Sequence, residues 1–220
     1  MELVRVDTQR AYNLIREKIN TLELAPGAPI DEAGLAEELG LGLVPVREAI
    51  KQLVRDALVE TPHGGLYVAD VNVGDLEQIS EIRLLLETYC ARQAALKATT
   101  DDLDILEALR QEQLAIPQED YRRLFEVDHK FHQAIARAAH NKYLAQSLDH
   151  YFGLSQRLWY LVLPHLKFLP SAVEKHLDLV TAIRERDADR AEAIMRDHVQ
   201  DFYGKVRQVL TDVSGNSADR

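Results

Sequence analysis

The chain has 220 residues, 46% hydrophobic and 28% charged, an ordinary globular balance with length for one large domain or two modest ones. Its formal net charge of −10, from 26 Lys plus Arg against 36 Asp plus Glu, argues against a polycation that coats nucleic acid nonspecifically but permits a local basic face. A single cysteine, Cys90, excludes a disulfide framework and a multi-cysteine zinc site, no run approaches the ~20 apolar residues of a membrane span, and Met1-Glu-Leu-Val-Arg-Val-Asp7 has no signal-peptide core, so a soluble cytoplasmic protein is expected.

The predicted fold is mainly α. Proline and glycine crowd the first third of the chain and are sparse after Gly74. Residues 1–70 read as three helices and a β-hairpin, 71–74 as a linker, 75–213 as an all-α helical bundle, and 214–220 as a frayed polar tail. Asp7 or Thr8 can cap a first helix carrying Ala11, Leu14, Ile15, Ile19 and Leu22 on one face, closed by Pro26-Gly27. Asp31 can cap a short second helix from Glu32 to Leu39, with Leu35 and Leu39 inward. Pro45 suits the first turn of a third, whose buried side is Val46, Ala49, Ile50, Leu53 and Val54. Leu58–Thr61 and Leu66–Ala69 read as short strands around the turn Pro62-His-Gly-Gly65.

That order of elements is a winged helix-turn-helix. The third helix presents Arg47, Lys51 and Arg55 at i, i+4 and i+8, a basic stripe able to lie in a major groove. His63 and Gly64 at the hairpin turn can approach a minor groove. The plainer alternative is a solvated helix face. Residues 1–70 hold seven Lys plus Arg against twelve Asp plus Glu, so any DNA surface is local and binding should be steeply salt-dependent.

Leu35-Ala-Glu-Glu-Leu-Gly40, Pro45-Val-Arg-Glu-Ala-Ile50, Leu53, Ala57-Leu-Val-Glu60 and Gly64-Gly65 resemble the N-terminal domain of the GntR family of bacterial transcription regulators, over nearly all of residues 8–70. The resemblance implies DNA contact by Arg47 and a wing tip at His63-Gly64. Just before the proline, where the family carries a small hydroxyl residue, Arg and a small polar residue, this chain has Gly42, Leu43 and Val44.

Beyond the linker, helices are expected over 75–98, 101–116, 119–139, 142–163, 171–186 and 188–210. The first is capped by Asp75 and carries Leu76, Ile79, Ile82, Leu86, Tyr89 and Cys90 in register; Arg83 and Glu87, one turn apart, can pair. Polar residues interrupt three apolar faces. Asp128 and His132 share the face of Leu124, Phe125, Phe131, Ile135 and Ala138. His176 shares that of Val173, Leu177, Val180 and Ile183, and His198 that of Ala191, Ile194, Met195, Val199 and Phe202. Buried polar groups need partners, and one carboxylate with three imidazoles suits a divalent metal such as Zn, Ni or Mn with open positions. The bland alternative is four hydrogen-bonded core residues. His129, about 100° round the helix from Asp128, should face away. His140, His150 and His165, near helix ends or irregular stretches, read as surface or cap residues, and Cys90 as a small core residue.

Asp128-x-x-x-His132, Asn141-x-x-Leu144, His176-x-x-Leu179 and Met195-x-x-His198 resemble the all-helical ligand-sensing FCD domain of the FadR subfamily of GntR regulators, over roughly residues 75–210. The resemblance implies a metal held by Asp128, His132, His176 and His198, and an effector pocket lined by Arg83. It further implies a homodimer that binds a double-stranded DNA operator, most often as a repressor, and a small carboxylate metabolite that alters operator affinity. No catalytic residues and no membrane association are expected. A metal-dependent hydrolase, and a regulator whose metal is purely structural, are the alternatives.

Overall fold

The computed structural model describes residues 2–71, 73–162 and 169–217, and the side chains of 6–71, 74–160 and 175–209. The chain divides into two compact units, residues 1–72 with 156–160, and residues 73–155 with 161–220.

In the first unit α1 (Glu2–Asn20) packs on α3 (Leu43–Arg55), with α2 (Glu32–Leu39) against α3. Ala11, Ile15 and Ile19 of α1 meet Val46, Ala49, Ile50 and Leu53 of α3, all buried. Each such aliphatic side chain contributes about 1.5–3 kcal/mol by leaving water. Leu14, Leu39 and Val54, expected inside, are half-buried. α1 begins at Glu2, so Asp7 and Thr8 lie inside it rather than capping it, and it ends at Asn20, ahead of the left-handed Leu22, not at Pro26. Asp31 caps α2 through its carboxylate, which accepts from the Ala33 N–H, and Gly40 ends it at a φ of 63°, where a side chain would strain. Strands β1 (Val59–Glu60) and β2 (Tyr67–Val68) pair antiparallel around a single 3-10 turn at Pro62–Gly64.

The second unit is α4 (Val73–Lys97), α5 (Thr100–Ala115), α6 (Tyr121–Ala138), α7 (Lys142–Val162) apart from residues 156–160, α8 (Leu169–Arg184) and α9 (Ala188–Ser217). α4 lies along α9 and crosses α6 and α8, while α5 packs on α6 and α8. Caps come from Thr99 in a reciprocal capping box with Asp102, from Asp120, and from Asn141, whose side-chain oxygen accepts from the Tyr143 and Leu144 N–H groups. α4 starts two residues before Asp75, so the expected linker overlaps its first turn, and α9 runs past Val213 to Ser217. Pro164 and His165, and the side chain of Val173, lie outside the described residues. No helix among the described residues is long and apolar enough to cross a membrane.

The buried face of α4 keeps only part of the expected set. Ile79, Ile82 and Leu86 are only half-buried and Tyr89 is 50% exposed. Leu76 and Cys90 of that set are buried, and they are joined by Arg83, Glu87, Ala91, Ala94 and Ala95. The small alanines let α9 approach closely, and the ion pair inside is matched by polar groups from other helices. Leu177 of α8, also expected inside, is exposed.

Candidate metal centre and DNA-reading face

Three helices of the second unit converge on one buried cluster. α6 supplies Asp128 and His132, one turn apart on its apolar face. α8 supplies His176 and α9 supplies His198. All four residues are at most 5% exposed, and one ligand atom from each lies within 4.8 Å of the others. His132 Nε2 and His198 Nε2 face each other at 3.1 Å, His176 Nε2 stands 3.5 Å from Asp128 Oδ1, and His132 Nε2 stands 3.8 Å from Asp128 Oδ2. The lone pairs of two imidazoles at such a distance need one proton or one cation between them.

Two of the three outward-facing nitrogens have partners. Glu87 of α4 sets one carboxylate oxygen against His132 Nδ1, and Gln113 of α5 accepts from His176 Nδ1 through Oε1 at 2.9 Å. Both contacts turn Nε2 inward and keep it available, as the outer partners of metal-bound histidines do. Phe131 clamps the His176 ring in a stack at 4.1 Å between centroids. His176 Nε2 finds no hydrogen-bond partner among the described residues, and neither does His198 Nδ1 or the Gln113 amide nitrogen. An inward, buried, partnerless Nε2 beside a carboxylate is what a divalent cation satisfies, so the donor set fits one.

The electrostatics of the four groups divide, with His176 and His198 shifted toward the ligating form and Asp128 and His132 toward the protonated one. Burial raises the Asp128 carboxyl, with the His132 and Arg83 charges pulling the other way. Burial pushes the His132 imidazole down, but Glu87 and Asp128 outweigh it and the net shift is upward. His176 falls well below its ordinary value and His198 falls to about 3, through burial first and then the neighbouring imidazoles. Neutral imidazoles are the ligating form.

Arg83 is 3% exposed and takes the pairing that its spacing allows: Nε donates to Glu87 Oε1 at 2.7 Å. Its Nη1 donates to Ser155 Oγ at 3.2 Å and to the Tyr203 hydroxyl at 3.0 Å, and the guanidinium lies 4.1 Å over the Phe152 ring. Glu87 therefore touches both Arg83 and His132. Burial raises its carboxyl, but Arg83 and His132 more than offset that and hold it at about 2. His129 stands outside the cluster: its ring stacks on Phe152 at 3.9 Å between centroids, and its Nε2 lies 3.9 Å from Asp149 Oδ1. His140 bonds Asp102 through Nε2 at 2.8 Å on the surface, and Cys90 is a buried free thiol pushed up to about 12 by burial and by Glu87.

Sequence reasoning missed the outer residues. Glu87 was legible only as the Arg83 partner. Gln113 had a signal: it stands seven residues after Leu106, a polar side chain on the one buried stripe of α5. Ser155 and Tyr203 had none.

In the first unit Arg47, Lys51 and Arg55 lie exposed on α3, and His63 and Gly64 are exposed at the turn between the strands, at φ of 52° and 81°. Two of the cations are already paired: Arg47 Nε with Glu32 at 2.9 Å and Lys51 with Glu48 at 2.7 Å. Exposed pairs of this kind are worth about 0–1 kcal/mol and yield readily to a phosphate. Among the described residues Arg55 has no such partner.

Residues 7–68 match the bacterial regulatory proteins of the gntR family, and residues 78–201 match the FCD domain. The HTH-type transcriptional repressor RspR of Escherichia coli is 29% identical over 208 residues, covering 94% of this chain and 91% of the relative. The galactonate operon transcriptional repressor of Escherichia coli is 28% identical, covering 84% and 90%. The solved structure of Escherichia coli McbR/YncC superposes with a TM-score of 0.81 at 24% identity, over 92% of this chain and 97% of that one, a likeness of fold. The chain belongs to the gntR family of bacterial regulatory proteins, DNA-binding transcription regulators, and carries an FCD ligand-binding domain after its winged helix-turn-helix.

Proposed function

We propose that the chain is a metal-dependent, ligand-responsive repressor that binds its operator as a homodimer. The carrying observation is the cluster itself: three imidazole Nε2 atoms and one carboxylate, buried together, two of the rings oriented from behind by Glu87 and Gln113. Asp128, His132, His176 and His198 hold a divalent cation, Zn, Ni or Mn. When bound, the cation supplies a Lewis-acidic seat for an anion.

The effector is a small carboxylate. Arg83 keeps its Glu87 pair and exchanges the neutral hydroxyls of Ser155 and Tyr203 for the effector's negative charge, a charge-assisted bond in place of two weaker ones. One relative is named for the galactonate operon, and galactonate is such an acid. The effector acts by binding one arrangement of the protein better than another; a differential of ~1–3 kcal/mol changes operator affinity about fivefold to more than a hundredfold. Arg47, Lys51 and Arg55 of α3 contact the operator, with His63 and Gly64 at the wing. A hydrolytic role has little support, because Glu87 is committed to Arg83 and His132, and Glu126 pairs with Arg122 and Arg123.

Metal analysis of the purified protein beside His176→Ala, then thermal shift against a panel of small carboxylates, tests this reading. One divalent metal per chain, lost in the variant, with an acid that raises the melting temperature only when metal is present, is the expected result. Metal without any acid response leaves a structural ion. No metal and no acid response refutes the sensing site.

A further inference from the structure

The first turn of α3 carries two residues that the basic stripe leaves unexplained. Gly42 caps the helix with no side-chain hydrogen bond, and Leu43 and Val44 fill its first two positions, 38% and 62% exposed. Pro45 and Val46, immediately after them, are buried, so the exposed pair forms no part of the core. In a helix-turn-helix the N-terminal residues of the second helix are the ones that meet base edges in the major groove. Leu43 and Val44 can neither donate nor accept a hydrogen bond there. Among the groups that base pairs present in that groove, the thymine C5-methyl is the apolar one.

We propose that Leu43 and Val44 are specificity-determining residues that read thymine methyl groups in each operator half-site. The discrimination has an attractive and a repulsive part. A methyl packed on either side chain leaves water, which is worth about fourfold in affinity for one methyl-sized group. A cytosine amino group or guanine oxygen in the same place loses its water and gains no partner, so G·C pairs are selected against. Val44 is β-branched and stiff at χ1, so it loses little side-chain freedom on contact. The stripe behind it does other work: Arg47, Lys51 and Arg55 supply charge for phosphates, which positions the helix without reading sequence.

This inference rests on α3 being the DNA-reading helix, and the experiment separates the two. The full-length protein selects from a pool of random duplexes, and the enriched duplex is resynthesised with each thymine in turn replaced by deoxyuridine, which deletes only the methyl. The expected result is at least one thymine per half-site whose replacement weakens binding about fourfold. That penalty disappears in Leu43→Ala or Val44→Ala, both at exposed positions that leave the fold intact. The inference is overturned if no thymine carries a penalty, or if the penalty persists unchanged in both variants. Failure of the wild type to enrich any duplex overturns the DNA-reading assignment of α3, and this inference with it.

Discussion

Replacing Glu87 with Gln keeps the side chain's shape and deletes its charge, which separates two things that Glu87 does. Glu87 is fully buried between Arg83 and His132. Without it the Arg83 guanidinium has lost its buried counter-ion, and breaking a buried pair from one side costs about 3–5 kcal/mol. Against a total stability of about 5–15 kcal/mol, the variant folds but melts earlier. The second loss is the negative charge on the acceptor behind His132 Nδ1, since an amide oxygen is a weaker acceptor than a carboxylate; impairing such an outer partner costs about 10–100-fold in metal affinity. The double variant Arg83→Met/Glu87→Leu keeps these effects apart. Exchanging both charges for apolar side chains of similar volume is close to neutral for stability, so urea denaturation returns toward wild type while Co²⁺ affinity, read by competition with a chromophoric chelator, stays low. The wild-type carboxyl sits at about 2 against an ordinary 4.5, so its stabilisation is full above the ordinary value and is lost as pH falls toward 2. Glu87→Gln should flatten that acid limb. A variant that binds Co²⁺ as tightly as wild type, or a double variant that recovers both properties, refutes the positioning role.

Gln113→Leu removes the acceptor from His176 Nδ1 and leaves a buried donor unmatched, which should cost about 1–3 kcal/mol and weaken metal binding, while the Phe131 stack still holds the ring; unchanged Co²⁺ affinity would count against the orienting role. Tyr12 donates to Asp56 Oδ2 at 2.7 Å and is raised to about 12, by burial first and then by Asp56. Its folded value is above the unfolded one, so the stabilisation is present below pH 10 and is lost as pH climbs through about 12. Because the ring is half-exposed, solvent screening reduces the contribution to about 1 kcal/mol, and Tyr12→Phe should lose that amount together with the alkaline sensitivity seen by circular dichroism. Glu32→Gln frees Arg47 and removes one negative charge from the DNA-reading face, so affinity for a selected duplex should rise severalfold at low salt and less at high salt; no change would mean that Arg47 is not a contact.

The elements were legible wherever local chemistry decides them. Asp31 and Gly40 bracket α2, Asn141 starts α7, and Pro62–Gly65 turns the hairpin, each through a cap or a backbone conformation that its own residue type favours. The apolar period of α6 placed Leu124, Phe125, Phe131 and Ile135 inside, and that period made Asp128 and His132 conspicuous. The polar exceptions on α6, α8 and α9 were therefore readable as a cluster, since three faces that all bury a titratable group must bury them against one another.

The same reasoning misread α4, for a physical reason. Ile79, Ile82, Leu86 and Tyr89 follow a helical period, and on hydrophobicity alone that face goes inward. The structure instead buries the face with Arg83 and Glu87, at 3% and 0% exposure, and leaves Leu85, Tyr89 and Leu96 exposed. A buried ion pair pays its desolvation only when further partners surround it. Those partners are His132 on α6, Ser155 on α7 and Tyr203 on α9, between 45 and 120 residues away in the chain. No window of local sequence contains them, so periodicity treated the charges as if they were alone and, between the buried Leu76 and Cys90, placed the wrong residues inside. The i, i+4 spacing of Arg83 and Glu87 was visible, but the spacing alone could not tell an exposed pair from the link between a guanidinium and a candidate metal ligand.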